Sequence, residues 1–308
     1  MDVLTFALRR TGRLLLTVFL IATLVFFIIR VIPGDPASVI AGIDANSSQL
    51  ATIRANLGLD QPLYLQYVHW IWNVVRLDLG TSYFSNQPVI ALILQRFPIT
   101  LSITLLAFFF SIVVALPIGV FSAVKRWTVW DYGGMLYAQL GMAVPGFWLG
   151  IILLLLFSVR LELFPLFGAG SFSHLVLPAV ALGVGRSAVL VRMIRSSMIE
   201  ELQKEYIVTA EAKGLRSNVI LYRHALKNAL LPVLTIAGIQ FGYMLGGAII
   251  IEQVFSLPGL GRLLLSAIYS RDFPVVQGGV IFIAVVFSVT NFLVDIFYSV
   301  VNPQIRVG

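Results

Sequence analysis

Apolar blocks alternate with polar intervals along this chain, and the blocks fall at about residues 11–32, 99–124, 134–158, 175–196, 229–252 and 277–301. A helix crosses the hydrocarbon core of a bilayer in about 20 apolar residues, at a rise of about 1.5 Å each. All six blocks reach that length, so the pattern predicts an all-α polytopic membrane protein with six transmembrane helices. Three of the blocks are imperfect. Pro98 and Pro117 flank or interrupt the second, Pro145-Gly146 breaks the third, and Arg186 interrupts the fourth. Proline removes a backbone hydrogen bond and kinks a helix, which a membrane tolerates where a neighbouring helix or a cavity compensates. Such kinks either shape a transport path or set helix tilt. The first block raises a separate question, because Arg9, Arg10 and Arg13 precede an apolar run as in a signal peptide. That run ends at Arg30-Val-Ile-Pro33-Gly-Asp-Pro36 without a small-x-small cleavage site, so an uncleaved first span is expected.

The intervals carry their own patterns. Between the first two blocks, Pro33, Gly34 and Pro36 stop the helix and turn the chain. Ser47-Ser48 is expected to cap a short helix that runs through Leu57 and closes at Gly58. Pro62 opens a second helix, LYLQYVHWIWNVVRL, whose Tyr, His and Trp residues suit a membrane interface. Asp78-Leu-Gly80-Thr-Ser82 reads as the turn before the second span. After the fifth block, SLPGLGRLLLSAIYSRDFPVVQGG is more apolar than a free loop. Leu263, Leu264, Leu265 and Ile268 there belong to a gate or to a packed re-entrant element, and spacing does not choose between them.

The interval from 198 to 232, MIEELQKEYIVTAEAKGLRSNVILYRHALKNALLP, differs from the rest. It concentrates Glu200, Glu201, Lys204, Glu205, Glu211, Lys213, Arg216, Arg223 and Lys227 in a chain with only 11% charged residues. Hydrocarbon cannot hold such a segment, because each unsatisfied charge or backbone group there costs several kcal/mol. Met198, Leu202, Tyr206 and Thr209/Ala210 recur at helical steps and form an apolar stripe that needs a covering surface. Gly214 permits a sharp bend, a second short helix follows Ser217-Asn218, and Pro232 marks the return into the membrane. The expected form is helix, bend and helix, with Ala210, Ala212, Gly214 and Leu215 giving a small, apolar apex. On physics alone, this element either docks a partner or packs on its own bundle.

Composition sets orientation and removes several chemistries. The chain has 308 residues, 59% of them hydrophobic, against about 25% charged residues in a soluble domain. The net charge of +7 is explained by basic residues held on cytoplasmic loops rather than by nucleic-acid binding. One side of the membrane collects Arg9, Arg10, Arg13, Lys125, Arg126, Arg192, Arg195, Lys204, Lys213, Arg216, Arg223, Lys227 and Arg306. The other has Arg30, Arg54, Arg76, Arg96, Arg160, Arg262 and Arg271. Both termini and the 198–232 segment are therefore expected in the cytoplasm. The absence of cysteine excludes disulfides and thiolate metal sites. No phosphate loop or HExxH motif occurs, and His69, His174 and His224 are scattered, so no catalytic, metal or cofactor site is expected in this chain.

Two stretches of the 198–232 segment carry a family signature. Tyr206-Ile-Val-Thr-Ala210-Glu-Ala212-Lys-Gly214-Leu215 and Arg223-His224-Ala-Leu-Lys-Asn228-Ala-Leu-Leu-Pro232 resemble the EAA signature of binding-protein-dependent ABC importer permeases. The chain most resembles the first (B-type) permease of the dipeptide/oligopeptide/nickel family, whose members include glutathione-like importers. Pro33-Gly-Asp-Pro36, Leu57-Gly-Leu-Asp-Gln-Pro62, Pro98-Ile-Thr-Leu101, Phe255-Ser-Leu-Pro258-Gly-Leu-Gly-Arg262 and Asn302-Pro303-Gln-Ile-Arg306 extend the likeness along the chain. The generic signature has a glutamate and an alanine where this chain has Val208 and Thr209, and its interval to Pro232 is shorter. Both departures are in keeping with the peptide branch.

The resemblance implies a type I ABC importer permease fold in the bacterial inner membrane. It places a first span and external region at 1–96, a five-helix transport domain at 97–302 and a cytoplasmic tail at 303–308. Tyr206, Thr209, Ala210, Glu211, Ala212, Lys213, Gly214 and Leu215 would form a coupling helix that docks on a cytoplasmic ATPase. The implied partners are a second homologous permease, two ATPases that use ATP and Mg, and an extracytoplasmic binding protein. The chain itself would be no enzyme. Peptides are the implied cargo, with nickel or another solute the alternative within the family. A proton-driven secondary transporter using Glu252 or Asp295 is the alternative of another class, although a lone acid near a helix end is more often paired or wetted. Arg186, near mid-membrane, is expected to face a cavity, meeting either a substrate carboxylate or an acid on a neighbouring helix.

Overall fold

The computed structural model describes residues 3–31, 35–41 and 46–301. Its helices, in chain order, are α1 (Val3–Val31), α2 (Pro36–Ala41), α3 (Ser47–Asn56), α4 (Leu63–Val75), α5 (Val89–Val124), α6 (Val129–Ala143) and α7 (Gly146–Leu153), which continues as a π-wound turn, Leu154–Arg160. There follow α8 (Ser173–Leu202), α9 (Glu205–Ala212), α10 (Ser217–Val219), a π-wound segment Ile220–Ala225, α11 (Leu226–Val254), α12 (Leu260–Ser270) and α13 (Phe273–Val301). Among the described residues, five stretches are long and apolar enough to cross a membrane: Thr11–Val31, Val89–Val124, Ser173–Leu202, Ser217–Val254 and Phe273–Val294. The third expected span is a pair of helices, α6 and α7 with its π turn, meeting at 100°. Val144 there is extended and Pro145 has φ −62° and ψ 133°, outside the helical region, so the bend has the cause expected of proline.

The chain forms two compact units. One comprises Ile99–Leu257 with the residues from Thr290 onward, and the other the residues up to Pro98 with Pro258–Val289. In the first, α8 is the central helix, with Leu190, Val191, Ile194 and Met198 buried among side chains of α5, α6 and α11. A second cluster of Ile103, Ala107, Leu182, Met244, Ile251 and Phe255 continues the packing toward the other end. Lipid tails are as apolar as leucine, so close contact rather than escape from water holds such helices together. Glycine supplies the contact. A Cβ on Gly183 would stand 2.7 Å from Phe110 and 2.8 Å from the Ala107 carbonyl oxygen, and one on Gly141 would stand 2.7 Å from Ala188.

In the second unit, Phe26 of α1 is buried against Tyr67 and Trp70 of α4, with ring centroids 5.2 and 5.3 Å away. The Thr23 and Tyr67 hydroxyls meet at 2.8 Å, and Arg30 donates to Gln66 at 3.0 Å. Tyr67 and Trp70, two of the five expected interfacial residues on α4, are thus spent on packing, while Tyr64, His69 and Trp72 stay exposed. The cap of α3 is not Ser47-Ser48 but Asn46. Asn46 accepts from the Gln49 backbone at 2.9 Å while Gln49 accepts from the Asn46 backbone at 3.1 Å, a reciprocal capping box. Helix α12 is a packed element. Its Leu260 and Ala267 lie on Val89, Ile93 and Val275, Leu264 is buried too, and Asp272 just beyond the helix accepts from Ser82 at 2.5 Å.

Two further expectations are refined by the helix bounds. Pro232, expected at the return into the membrane, causes no break in the helix. It lies inside α11, and helix runs without a break from Ser217 through the π-wound segment into that span. One missing N–H does not end a helix whose neighbouring turns are buried. The second span begins at Val89, ten residues before its apolar block, because Val89 and Ile93 are core residues of the second unit. Pro33, Gly34, the Asn302–Arg306 motif, the 303–308 tail and the side chain of Asp295 lie outside the described residues.

Overpacking a membrane helix contact costs about 1–3 kcal/mol. Gly183→Ala is expected to lower the unfolding midpoint of the detergent-purified permease. Gly133→Ala, where a Cβ has nothing within 4 Å, is expected to leave it unchanged or raise it. Equal midpoints for the two variants would refute the close-packing account.

Candidate functional site

The charged segment is built from the end of α8, the short helix α9 and the elbow that leads into α11. Helix α8 stops at Leu202 and α9 starts at Glu205, so the stripe of Met198, Leu202 and Tyr206 spans a break rather than one helix. That stripe is covered by this chain. Met198, Ile207 and Ala210 are buried with Ile220, Ala225 and Ala229, and Leu202 and Tyr206 pack against the same cluster.

The break is held by a group that helical periodicity does not single out. Glu201 is a buried carboxylate near the end of α8. It accepts from Lys204 Nζ at 2.6 Å and from the Tyr206 hydroxyl at 2.7 Å. Asn228 of α11 donates to the same tyrosine oxygen at 3.1 Å. One carboxylate therefore ties the end of α8, the start of α9 and the first turn of α11 together. The Glu201 hydrogen bond raises the pKa of Lys204, and burial, followed by the hydrogen bond to Glu201, raises that of Tyr206. Both raised groups favour the folded state below their ordinary values, and that stabilisation is lost only as pH rises through the folded values. At neutral pH the network is complete.

Beyond this anchor the chain is bare. Every residue from Glu211 to Asn218 is exposed, and Val208 on α9 is 60% exposed. Gly214 has φ +75°, a left-handed turn natural to glycine, and a Cβ there would meet nothing within 4 Å. Leu215 donates its N–H back to the Ala210 carbonyl at 3.3 Å and Gly214 to Glu211 at 2.9 Å, which closes the end of α9. Of the eight residues carried over from the family, the structure turns Ala210 inward and leaves Tyr206 partly buried in the anchor. Thr209, Glu211, Ala212, Lys213, Gly214 and Leu215 stand exposed on one projecting elbow.

Four charged groups lie elsewhere in the same unit. Arg195 of α8, expected in water, makes paired bonds of 2.5 and 2.8 Å to Asp131 of α6, whose side chain is buried. Asp131 also accepts from the Trp127 backbone at 3.0 Å. Planar guanidinium and carboxylate match in this pair of parallel hydrogen bonds, which suits arginine to a partly buried pair. Arg186 donates to Gln240 of α11 at 3.0 Å and lies 5.7 Å from the Tyr243 ring, so its neighbours within the chain are neutral and the acid expected on an adjacent helix is a glutamine. Glu252 is fully buried and accepts from Thr100 at 2.5 Å.

Comparison with known proteins places this geometry. Residues 115–307 match the family described as binding-protein-dependent transport system inner membrane component, and residues 3–104 match the N-terminal component of the same systems. The chain belongs to this family. A Brucella abortus (strain 2308) protein named for a peptide transport system permease is 43% identical over 307 residues, covering 97% of this chain and 98% of its own. The glutathione transport system permease protein of Salmonella choleraesuis is 41% identical over 305 residues, covering 98% and 99%. The fold is similar to a chain of the MetNI methionine ABC transporter in an inward-facing conformation, with TM-score 0.61 and 20% identity over 70% of this chain and 99% of that one. The chain is thus a multi-pass inner-membrane permease component with an ABC importer permease fold.

Tyr206→Phe removes a hydrogen bond to a buried charge, worth about 1.5–3 kcal/mol. Hydrogen exchange of residues 203–216 is expected to quicken roughly 10- to 150-fold, with the rest of the chain unchanged. Unaltered exchange in this segment would mean that the Glu201 network does not anchor it.

Proposed function

We propose that this chain is one of two permease subunits of an ATP-driven importer that carries peptides, glutathione-like tripeptides among them. The carrying observation is the exposed elbow from Glu211 to Asn218, anchored at its root by Glu201 in a chain of this family. The partners are a homologous second permease, two cytoplasmic ATPases that bind ATP and Mg, and an extracytoplasmic binding protein that delivers the solute. Both termini and the elbow lie on the cytoplasmic side. The peptide permease names of the relatives support this cargo over a metal ion, and the family supports ATP over a proton gradient.

The arrangement suits force transmission. An ATPase that grips the elbow moves α9, and Glu201 passes the displacement to α8 and α11 together rather than to one helix. The paired bonds between Asp131 and Arg195 extend the coupled body to α6. Packed helices shift between discrete arrangements instead of deforming continuously, so closing of the ATPases opens and closes access to the path. Small side chains at Ala212 and Gly214 allow close docking, while Glu211, Lys213 and Arg216 set register by charge.

The test is uptake of a labelled dipeptide by vesicles holding the full complex. Ala212→Arg puts a large cation on the exposed face of α9 without touching the buried core. ATP-dependent uptake is expected to fall at least about tenfold, with the variant inserted normally and its ATPases lost on purification. Wild-type uptake and ATPase retention in this variant would reduce the elbow to a surface loop. Wild-type uptake that survives without the ATPases and is abolished by a protonophore would sink the importer reading itself.

A further inference from the structure

Helices α8 and α11 pack side by side, and both carry polar residues at their midpoints. Arg186 is 13 residues from Ser173 and 16 from Leu202, so about 20 Å of helix lies on either side of it. Gln240 lies equally far from the two ends of α11, Leu226 and Val254. Gln240 is buried and holds one of the five N–H donors of the Arg186 guanidinium. No carboxylate among the described residues pairs with this arginine.

The face around it is uncovered. Along α11, Ile239, Tyr243, Gly246 and Ile250 form an exposed stripe, with Tyr243 57% exposed, and a Cβ on Gly246 would meet nothing within 4 Å. The Arg186 guanidinium lies over the Tyr243 ring on this stripe. A partly exposed guanidinium at mid-membrane cannot face lipid tails, because an uncompensated charge there is among the costliest arrangements a helix can adopt. The stripe therefore faces a water-filled cavity or the interior of a larger bundle rather than lipid. Gln240 and the tyrosine ring hold the guanidinium in place without neutralising it, which leaves a planar fork of donors matched to a carboxylate.

We propose that Arg186, oriented by Gln240 and Tyr243, is a carboxylate subsite in the translocation path, and that it engages the carboxylate of the peptide as it passes. The inference rests on the importer reading and adds to it a position for the path and a charge requirement on the cargo. One arginine with a single tether within the chain suits a transit site, which has to release its ligand as readily as it takes it up.

The chain has no cysteine, which makes the test direct. Arg186→Cys, in the full complex in vesicles, is expected to lower peptide uptake about ten- to a hundredfold while leaving assembly intact. A cationic aminoethyl methanethiosulfonate is expected to restore uptake, whereas the anionic sulfonatoethyl and neutral methyl reagents are not. In Tyr243→Cys, which keeps Arg186, peptide with a free carboxyl terminus is expected to slow labelling. Its C-terminal amide, at a concentration that stimulates ATP hydrolysis equally, is expected not to. Equal protection by acid and amide, or rescue by the neutral reagent, would overturn the subsite in favour of a partner's acid or of bulk alone. An unreactive thiol, or unchanged uptake in Arg186→Cys, would also overturn it. If Arg186→Cys does not assemble, Tyr243→Cys on the same exposed stripe reads the same water access and carboxylate protection, and absence of either overturns the proposal. Failure of the importer reading is separable, since it appears as absent ATP-dependent uptake in wild type while labelling still reports access to the face.

Discussion

Charge has no place in hydrocarbon, and the way α8 meets that constraint arranges much of the first unit. This one helix brings Arg186, Arg195 and Glu201 into or near the membrane, at three depths and with three kinds of partner. Glu201 is answered by Lys204 and Tyr206, which forces the chain to break and turn immediately after α8. Arg195 is answered by Asp131, which fixes α6 against α8. Arg186 is held within the chain by neutral groups, Gln240 and the Tyr243 ring. An apolar helix at this position would pack equally well against its neighbours, but it would set neither the break nor the tie.

The glycine contacts do complementary work. Water drives soluble helices together, but lipid does not, so α8 needs surfaces on which another backbone can come close. Gly183 meets α5 and Gly141 meets α8 at distances no side chain tolerates. The polar ties give direction and register, and the glycine contacts give the surface-to-surface fit. A body packed in this way transmits strain rather than absorbing it.

The elbow is a projecting element that is fixed at one end. Its root is held by buried Ala210 and Ile207 and by the Glu201 network, while every residue of its tip from Glu211 to Asn218 is exposed. A preformed tip reduces the ordering cost of docking. The left-handed turn at Gly214 returns the chain toward the membrane within a few residues of the end of α9, and the π-wound segment then leads directly into α11.

Much of this was written in the sequence. Apolar block lengths located the spans, because bilayer thickness is fixed. Pro145 marked the bend between α6 and α7, because a ring without an N–H leaves few alternatives. Gly58 and Gly214 marked left-handed turns, and the family signature identified the segment to inspect. Those signals are local, and each is decided by a residue and its chain neighbours. Other features came only from tertiary structure. That Asn46 rather than Ser47 caps α3, that Pro232 sits inside a continuing helix, and that Ala210 turns inward all depend on neighbouring packing. The pairings of Glu201 with Tyr206, of Arg195 with Asp131 and of Arg186 with Gln240 join residues 5, 64 and 54 positions apart. A sequence shows that a charge near the membrane needs a partner, but the choice of partner is a matter of distance, and distance is set by the fold.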